Sequence, residues 1–177
     1  AMAAEAREEL AARDQEIAQT SNAIAAALRP FGEAEWKQYF GDVGSAPDLP
    51  SDMAAILNSS CPFWLGKQVK DTHLLVLVPA TVDGRPFTLD LLRELIKSPK
   101  GGGSKTEYCV YGNHVLRELG AQSPRSSYWM LMTRDVLPDS RDKTYDAQKE
   151  LVAGYASRES VPYELPSVLE AATAILL

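Results

Sequence analysis

The sequence predicts an α/β or α+β fold, in which helices pack on a small sheet of about three strands behind a long N-terminal helix. A continuous apolar run at residues 74–78, closed by Pro79, is too short for a helix and is typical of a strand that is buried on both faces. A second apolar run of strand length follows at residues 128–132. At least two helical segments separate the runs, so a crossover connection and parallel pairing are one expectation.

Residues 3–28 predict one long helix, because they contain no Gly or Pro and are rich in Ala. Leu10, Ile17 and Ile24 recur every seven residues, but half of the coiled-coil seam is missing. Residues 1–29 are therefore interpreted as a helical segment with three alternatives: it packs on its own domain, pairs with a second copy, or belongs to a longer coiled coil. The narrow apolar stripe favours pairing or extension, which predicts a homo-oligomer formed through residues 3–28.

Residues 30–177 predict one globular α/β domain. Residues 174–177 carry no helix-ending signal, so one expectation is that the domain is truncated at its C-terminus. Glycines, prolines and capping residues divide the domain into elements. The predicted order is a helix at 33–40, a helix at 51–58 with Ser51 as N-cap, the strand at 74–78, a turn at 82–86, a helix capped by Thr88, an edge-like strand at 106–110, a helix at 113–119, the strand at 128–132, a helix at 145–158 and a helix starting near Pro166.

The best location for a ligand is the edge at which the two main strands end, if they are parallel neighbours. That arrangement would bring Thr81 beside Arg134, with Arg141 and Lys143 in the following loop. Guanidinium and ammonium groups bind carboxylates and phosphates, so these residues are candidate ligand or anion-binding residues. The alternative is a solvated loop with internal ion pairs, which a loop of mixed charge favours.

A cysteine and a histidine can form a nucleophile and base pair, because the imidazole lowers the pKa of the thiol. Cys61 with His73 is the candidate catalytic pair, although a lone cysteine is more often a small apolar core residue. The two cysteines lack zinc-ligand spacing, so no metal site is expected. No cofactor motif is present, and an enzyme is the less favoured class.

The formal net charge of −6 disfavours a nucleic-acid partner, and no apolar stretch is long enough to span a membrane. Phe63 and Trp64 stand in a loop bounded by Pro and Gly, where aromatic side chains serve either a core or a protein interface. A non-enzymatic protein-interaction module is therefore the leading hypothesis. The competing hypothesis is a small hydrolase or transferase that uses Cys61 with His73.

Five strings of the sequence are distinctive when they are taken together. They are Tyr39-Phe40-Gly41-Asp42-Val43-Gly44, Leu49-Pro50-Ser51-Asp52, Cys61-Pro62-Phe63-Trp64, the run from Asp71 to Pro79, and the stretch from Ser127 to Val136. With them, residues 29–177 resemble a family of uncharacterised proteins from chlamydia-like intracellular bacteria. The resemblance implies no activity, but it implies a module that continues past Leu177 into a glycine-rich β segment. It also suggests a cytoplasmic bacterial protein, with delivery to the host cytoplasm and a host protein as partner.

Overall fold

A computed structural model describes residues 7, 9, 12–15, 30–106, 112–157 and 162–177. Most of the predicted N-terminal helix, with Leu10, Ile17 and Ile24, lies outside these described residues, as does the predicted strand at 106–110 apart from Thr106. None of the helices in the described ranges is long and apolar enough to cross a membrane.

The centre of the fold is an antiparallel pair of strands, β1 (His73–Val78) and β4 (Tyr128–Thr133). Both strands were predicted from their apolar runs, and both form within one residue of the expected bounds. The expected parallel pairing is wrong, because the register aligns His73 with Thr133 and Val78 with Tyr128. Antiparallel pairing with small separate sheets makes this a mixed α/β fold of the α+β kind.

The other edge of β1 is partly occupied by Phe31. The Phe31 N–H donates to the Leu75 carbonyl at 2.9 Å, and the Leu77 N–H donates to the Phe31 carbonyl at 2.8 Å. Within the described residues, β1 is therefore held on both edges, while β4 pairs on one edge only.

A short hairpin, β2 (Thr81–Val82) and β3 (Arg85–Pro86), follows β1 directly. Its turn was predicted, but its strands were not. Asp83 and Gly84 have φ angles of 49° and 75°. This left-handed pair fits a two-residue hairpin turn, for which Asp-Gly is a preferred sequence.

Seven helices surround the strands within the ranges 30–106, 112–157 and 162–177. Six lie close to predicted positions, and the short helix at Val69–Thr72 was not predicted. Thr88 caps its helix as expected, since its hydroxyl accepts from the Leu91 N–H. Asp52 rather than Ser51 precedes the second helix, and Ser167 rather than Pro166 leads into the last one. The helices are α1 (Glu33–Tyr39), α2 (Met53–Asn58), α3 (Val69–Thr72), α4 (Leu89–Leu95), α5 (Asn113–Leu119), α6 (Tyr145–Ala156) and α7 (Val168–Leu176).

The core covers both faces of β1. Leu77 and Val78 are fully buried, and consecutive strand residues point to opposite faces. Trp36 of α1 is also fully buried, and its indole N–H donates to the Leu77 carbonyl at 2.9 Å. A second cluster joins Leu75 to α2 and α3. The prediction of a strand buried on both faces is thereby confirmed.

Candidate functional site

The antiparallel pairing separates the residues of the predicted anion site. Thr81 follows the C-terminal end of β1, whereas Arg134 follows β4 at the opposite end of the pair, beside His73. Arg141 and Lys143 are exposed in the loop after β4, without an ion pair to any described residue. The expected proximity of Thr81 to Arg134 is therefore wrong. Anion binding by Arg134, Arg141 and Lys143 stays a prediction.

The two side chains of the candidate catalytic pair are not joined by a hydrogen bond. Cys61 and His73 are both buried, but no hydrogen bond joins the thiol to the imidazole. A nucleophile and its base need to approach hydrogen-bond distance. Catalysis by this pair stays a prediction without support from the geometry.

The predicted interface aromatics take part in packing. Phe63 is buried, and its ring centroid lies 4.7 Å from that of Tyr155 and 4.8 Å from that of Tyr163. Trp64 is half-buried and packs with its ring edge-to-face against Phe63. An interface role for these two residues stays a prediction, and Phe63 has a clear structural role as well.

His73 carries a buried acceptor that has no hydrogen-bond partner. Its Nδ1 lies 3.2 Å from the Val69 carbonyl oxygen and 2.9 Å from the Thr72 hydroxyl. We assign the proton to Nδ1, because this tautomer donates to the Val69 carbonyl, and Nε2 then keeps a free lone pair. Nε2 is buried and unpaired. Burial lowers the pKa of His73 and outweighs the Val69 hydrogen bond, which raises it, while Arg134 lowers it further.

A cavity of about 690 Å³ lies beside β4, and all six residues of the strand line it. Consecutive strand residues point to opposite faces, so a cavity that contacts all of them runs along the outer edge of the strand. Leu151 and Val152 of α6 and the segment 162–166 line the same cavity. Val136 and Ile175, which are 50% and 73% exposed, also belong to its lining.

Several backbone polar groups of β4 have no partner among the residues that the structure describes. The Arg134 N–H donates to the Thr72 carbonyl at 2.8 Å, which extends the ladder and fixes its alternation. The N–H and C=O groups of Trp129, Leu131 and Thr133 consequently point away from β1. No backbone hydrogen bond to another described residue satisfies them.

The charged residues in the described part of the cavity wall are one cation and three carboxylates, namely Arg134, Asp135, Glu164 and Glu170. Glu170 accepts from the Tyr128 hydroxyl at 2.8 Å and from the Ser167 N–H at 2.6 Å. Burial raises the pKa of Glu170, but the hydrogen bonds from Ser167 and Tyr128 together lower it. Glu170 therefore holds the start of α7 on β4 as a carboxylate.

A second cavity of about 650 Å³ adjoins the first at the N-terminal end of β4. The two cavities share Tyr128 and Pro166 in their linings. The second one is bordered by residues 122–126 and by the exposed side chains of Tyr145 and Val168. Together they form a groove that extends beyond the length of one strand.

Sequence reasoning missed the rim residues Val136 and Ile175 and the wall that α6 supplies. Neither residue belongs to a motif, and no local pattern shows that β4 pairs on one edge only. The Ser167 to Glu170 spacing was readable as a capping box, but its link to Tyr128 was not. Among the described residues, no group of His, Cys, Asp and Glu side chains is suited to hold a metal ion.

No protein-family model matches the chain. Comparison with curated proteins and with solved structures likewise gives no match. The function is therefore inferred from the groove beside β4 and from the residues that line it.

Proposed function

We propose that this chain is a protein-interaction module that binds a segment of another polypeptide in the groove beside β4. The observation that carries the proposal is a cavity of about 690 Å³ with mostly apolar walls and the exposed side chains of Val136 and Ile175 in its lining. Large apolar side chains gathered around a cavity are typical of a binding surface, whereas isolated ones are ordinary.

The chemistry of the groove favours binding over catalysis. His73 is neutral near pH 7, and its Nδ1 is already bonded to the backbone of α3. The only cysteine in the described residues is buried and makes no hydrogen bond to that imidazole. The resemblance to proteins of intracellular bacteria makes a host protein the expected source of the bound segment. Self-association through residues 3–28 is a separate expectation.

Peptide display against the purified chain tests the proposal. Peptides that are selected on the unmodified chain should lose at least about tenfold in affinity when Ile175 or Val136 is replaced with Asp, since burying a charge against an apolar partner is costly. Leu65→Asp is the matched control. Leu65 is fully exposed and lines neither cavity, so this variant should bind normally.

Two results would contradict the proposal. One is a display selection that yields no peptide binder. The other is a set of binders whose affinity is unchanged by both rim substitutions, because such peptides would occupy a different surface.

A further inference from the structure

We infer that the bound segment adds to β4 as an extra β-strand, an inference that rests on the proposed function and specifies its mode. Trp129, Leu131 and Thr133 each direct one N–H and one C=O into the cavity. Alternate residues of a strand are about 6.8 Å apart, which matches the backbone repeat of another extended chain. Main-chain hydrogen bonds would then supply affinity, and the cavity walls would contact the alternating side chains.

The edge of β4 lacks three of the features that commonly prevent strand addition. Edge strands are usually protected by a charged side chain, a proline or a bulge. Residues 128–133 contain no charged residue and no proline, and they pair with β1 in continuous register. Every residue of β4 is half-buried and lines the cavity, so the described residues do not cover the strand completely.

The shape of the groove fits an extended chain. The second cavity continues from Tyr128 past the start of β4, and the two cavities adjoin at Tyr128 and Pro166. A compact small molecule would fill one cavity and leave the other empty. A segment longer than β4 can occupy both.

The charges favour a basic segment from a different protein. The described wall of the two cavities carries three carboxylates and two guanidiniums, an excess of one negative charge: Asp135, Glu164, Glu170, Arg134 and Arg125. A second copy of this chain carries a net charge of −6 and would be repelled. The expected partner is therefore an extended segment with apolar side chains on one face and at least one Lys or Arg.

Amide hydrogen exchange measured by NMR on the full chain tests the mode of binding. In the free protein, the N–H groups of Trp129, Leu131 and Thr133 should exchange rapidly, while those of Met130 and Met132, which face β1, should exchange slowly. Addition of the display-selected peptide should slow the first three at least about tenfold. Slow exchange of these three in the free protein would overturn the inference, because the edge would already be covered by this chain or by a second copy.

Thr133→Pro provides the matched genetic test. Proline removes an N–H that points away from β1, so the β1 pairing is kept while one bond to the peptide is lost. Peptide affinity should fall about two- to tenfold, with the cooperative unfolding transition retained. Thr133→Val keeps the N–H and should bind like the unmodified protein. Glu164→Lys should weaken binding of a Lys-containing peptide more than binding of its Lys→Met analogue.

Different experimental results would contradict strand addition and the proposed function. One result would overturn strand addition but not the proposed function. In that result, the peptide loses affinity with Ile175→Asp, but it neither protects the three amides nor loses affinity with Thr133→Pro. Failure to select any peptide would contradict both.

Discussion

Replacing His73 with Phe should stabilise the protein at neutral pH. The imidazole is 1% exposed, and its Nε2 lone pair has no hydrogen-bond partner. Such an atom loses its hydrogen bonds with water on folding and gains nothing in return. A residue that costs stability in this way is typical of a functional position, so the size of the cost is worth measuring.

Two contributions determine the expected gain. Removing an unsatisfied buried acceptor should recover about 1–3 kcal/mol. Losing the Nδ1 hydrogen bond to the Val69 carbonyl should cost about 0.5–1.5 kcal/mol. That carbonyl keeps the Thr72 hydroxyl as a donor at 3.2 Å, so it is not left unpaired. The net expectation is a rise of about 1 kcal/mol in the free energy of unfolding.

The gain should grow as the pH falls. Burial lowers the pKa of His73 below its ordinary value of 6.5. Between the folded-state pKa and 6.5, the unfolded chain is therefore protonated at His73 while the folded chain is not. The unmodified protein therefore keeps its full stability above pH 6.5 and loses up to about 1.4 kcal/mol for each pH unit below that value, until the folded-state pKa is reached. Arg134 reinforces this effect through its charge. Phe cannot titrate, so the variant avoids this loss.

Urea unfolding followed by tryptophan fluorescence at pH 7.5, 6.5 and 5.5 would measure both effects. His114→Phe is the matched control, since it makes the same substitution at an exposed histidine and removes no buried polar atom. The reasoning is refuted if His73→Phe is less stable than the unmodified protein at every pH. It is also refuted if the difference between the two proteins does not widen towards pH 5.5.

Three further predictions concern other parts of the chain. Tyr128→Phe should lower the free energy of unfolding by about 1–2 kcal/mol at pH 7, because Glu170 loses one hydrogen-bond donor. Below pH 4.5, the free energy of unfolding should fall less in the variant than in the unmodified protein, as acid unfolding would show. The Cys61 thiol is buried, so mass spectrometry should find it alkylated only under unfolding conditions, and rapid alkylation of the folded protein would revive the nucleophile hypothesis. If residues 3–28 mediate self-association, substituting Asn for both Ile17 and Ile24 should convert the oligomer to a monomer in light scattering. A monomeric mass for the unmodified chain would contradict self-association.

The strands and helices could be predicted because their signals are local. The apolar run at 74–78 predicts a buried strand from its own composition, and Thr88 predicts a helix start from one hydroxyl. Strand direction is different, because the helices between β1 and β4 are compatible with either orientation. Only the packed fold shows that Thr133 lies opposite His73.

The candidate site was less predictable for a related reason. Phe63 and His73 were both singled out from the sequence, and both line the groove. The sequence does not show that no hydrogen bond joins His73 to Cys61. Val136 and Ile175 are ordinary apolar residues in any sequence window. They become informative only when the fold leaves them exposed beside a cavity.

The long-range pairing of β1 with β4 has a consequence for how the chain folds. Residues 79–127 must be brought back before the two strands meet, so the loop-closure entropy is paid before the central contacts form. The hairpin at Thr81–Pro86 can close much earlier, because its turn is local. During that interval the apolar run at 74–78 is unpaired and can associate with strands of other molecules. Asp71 and Pro79 flank this run, and such residues limit aggregation of a nascent chain.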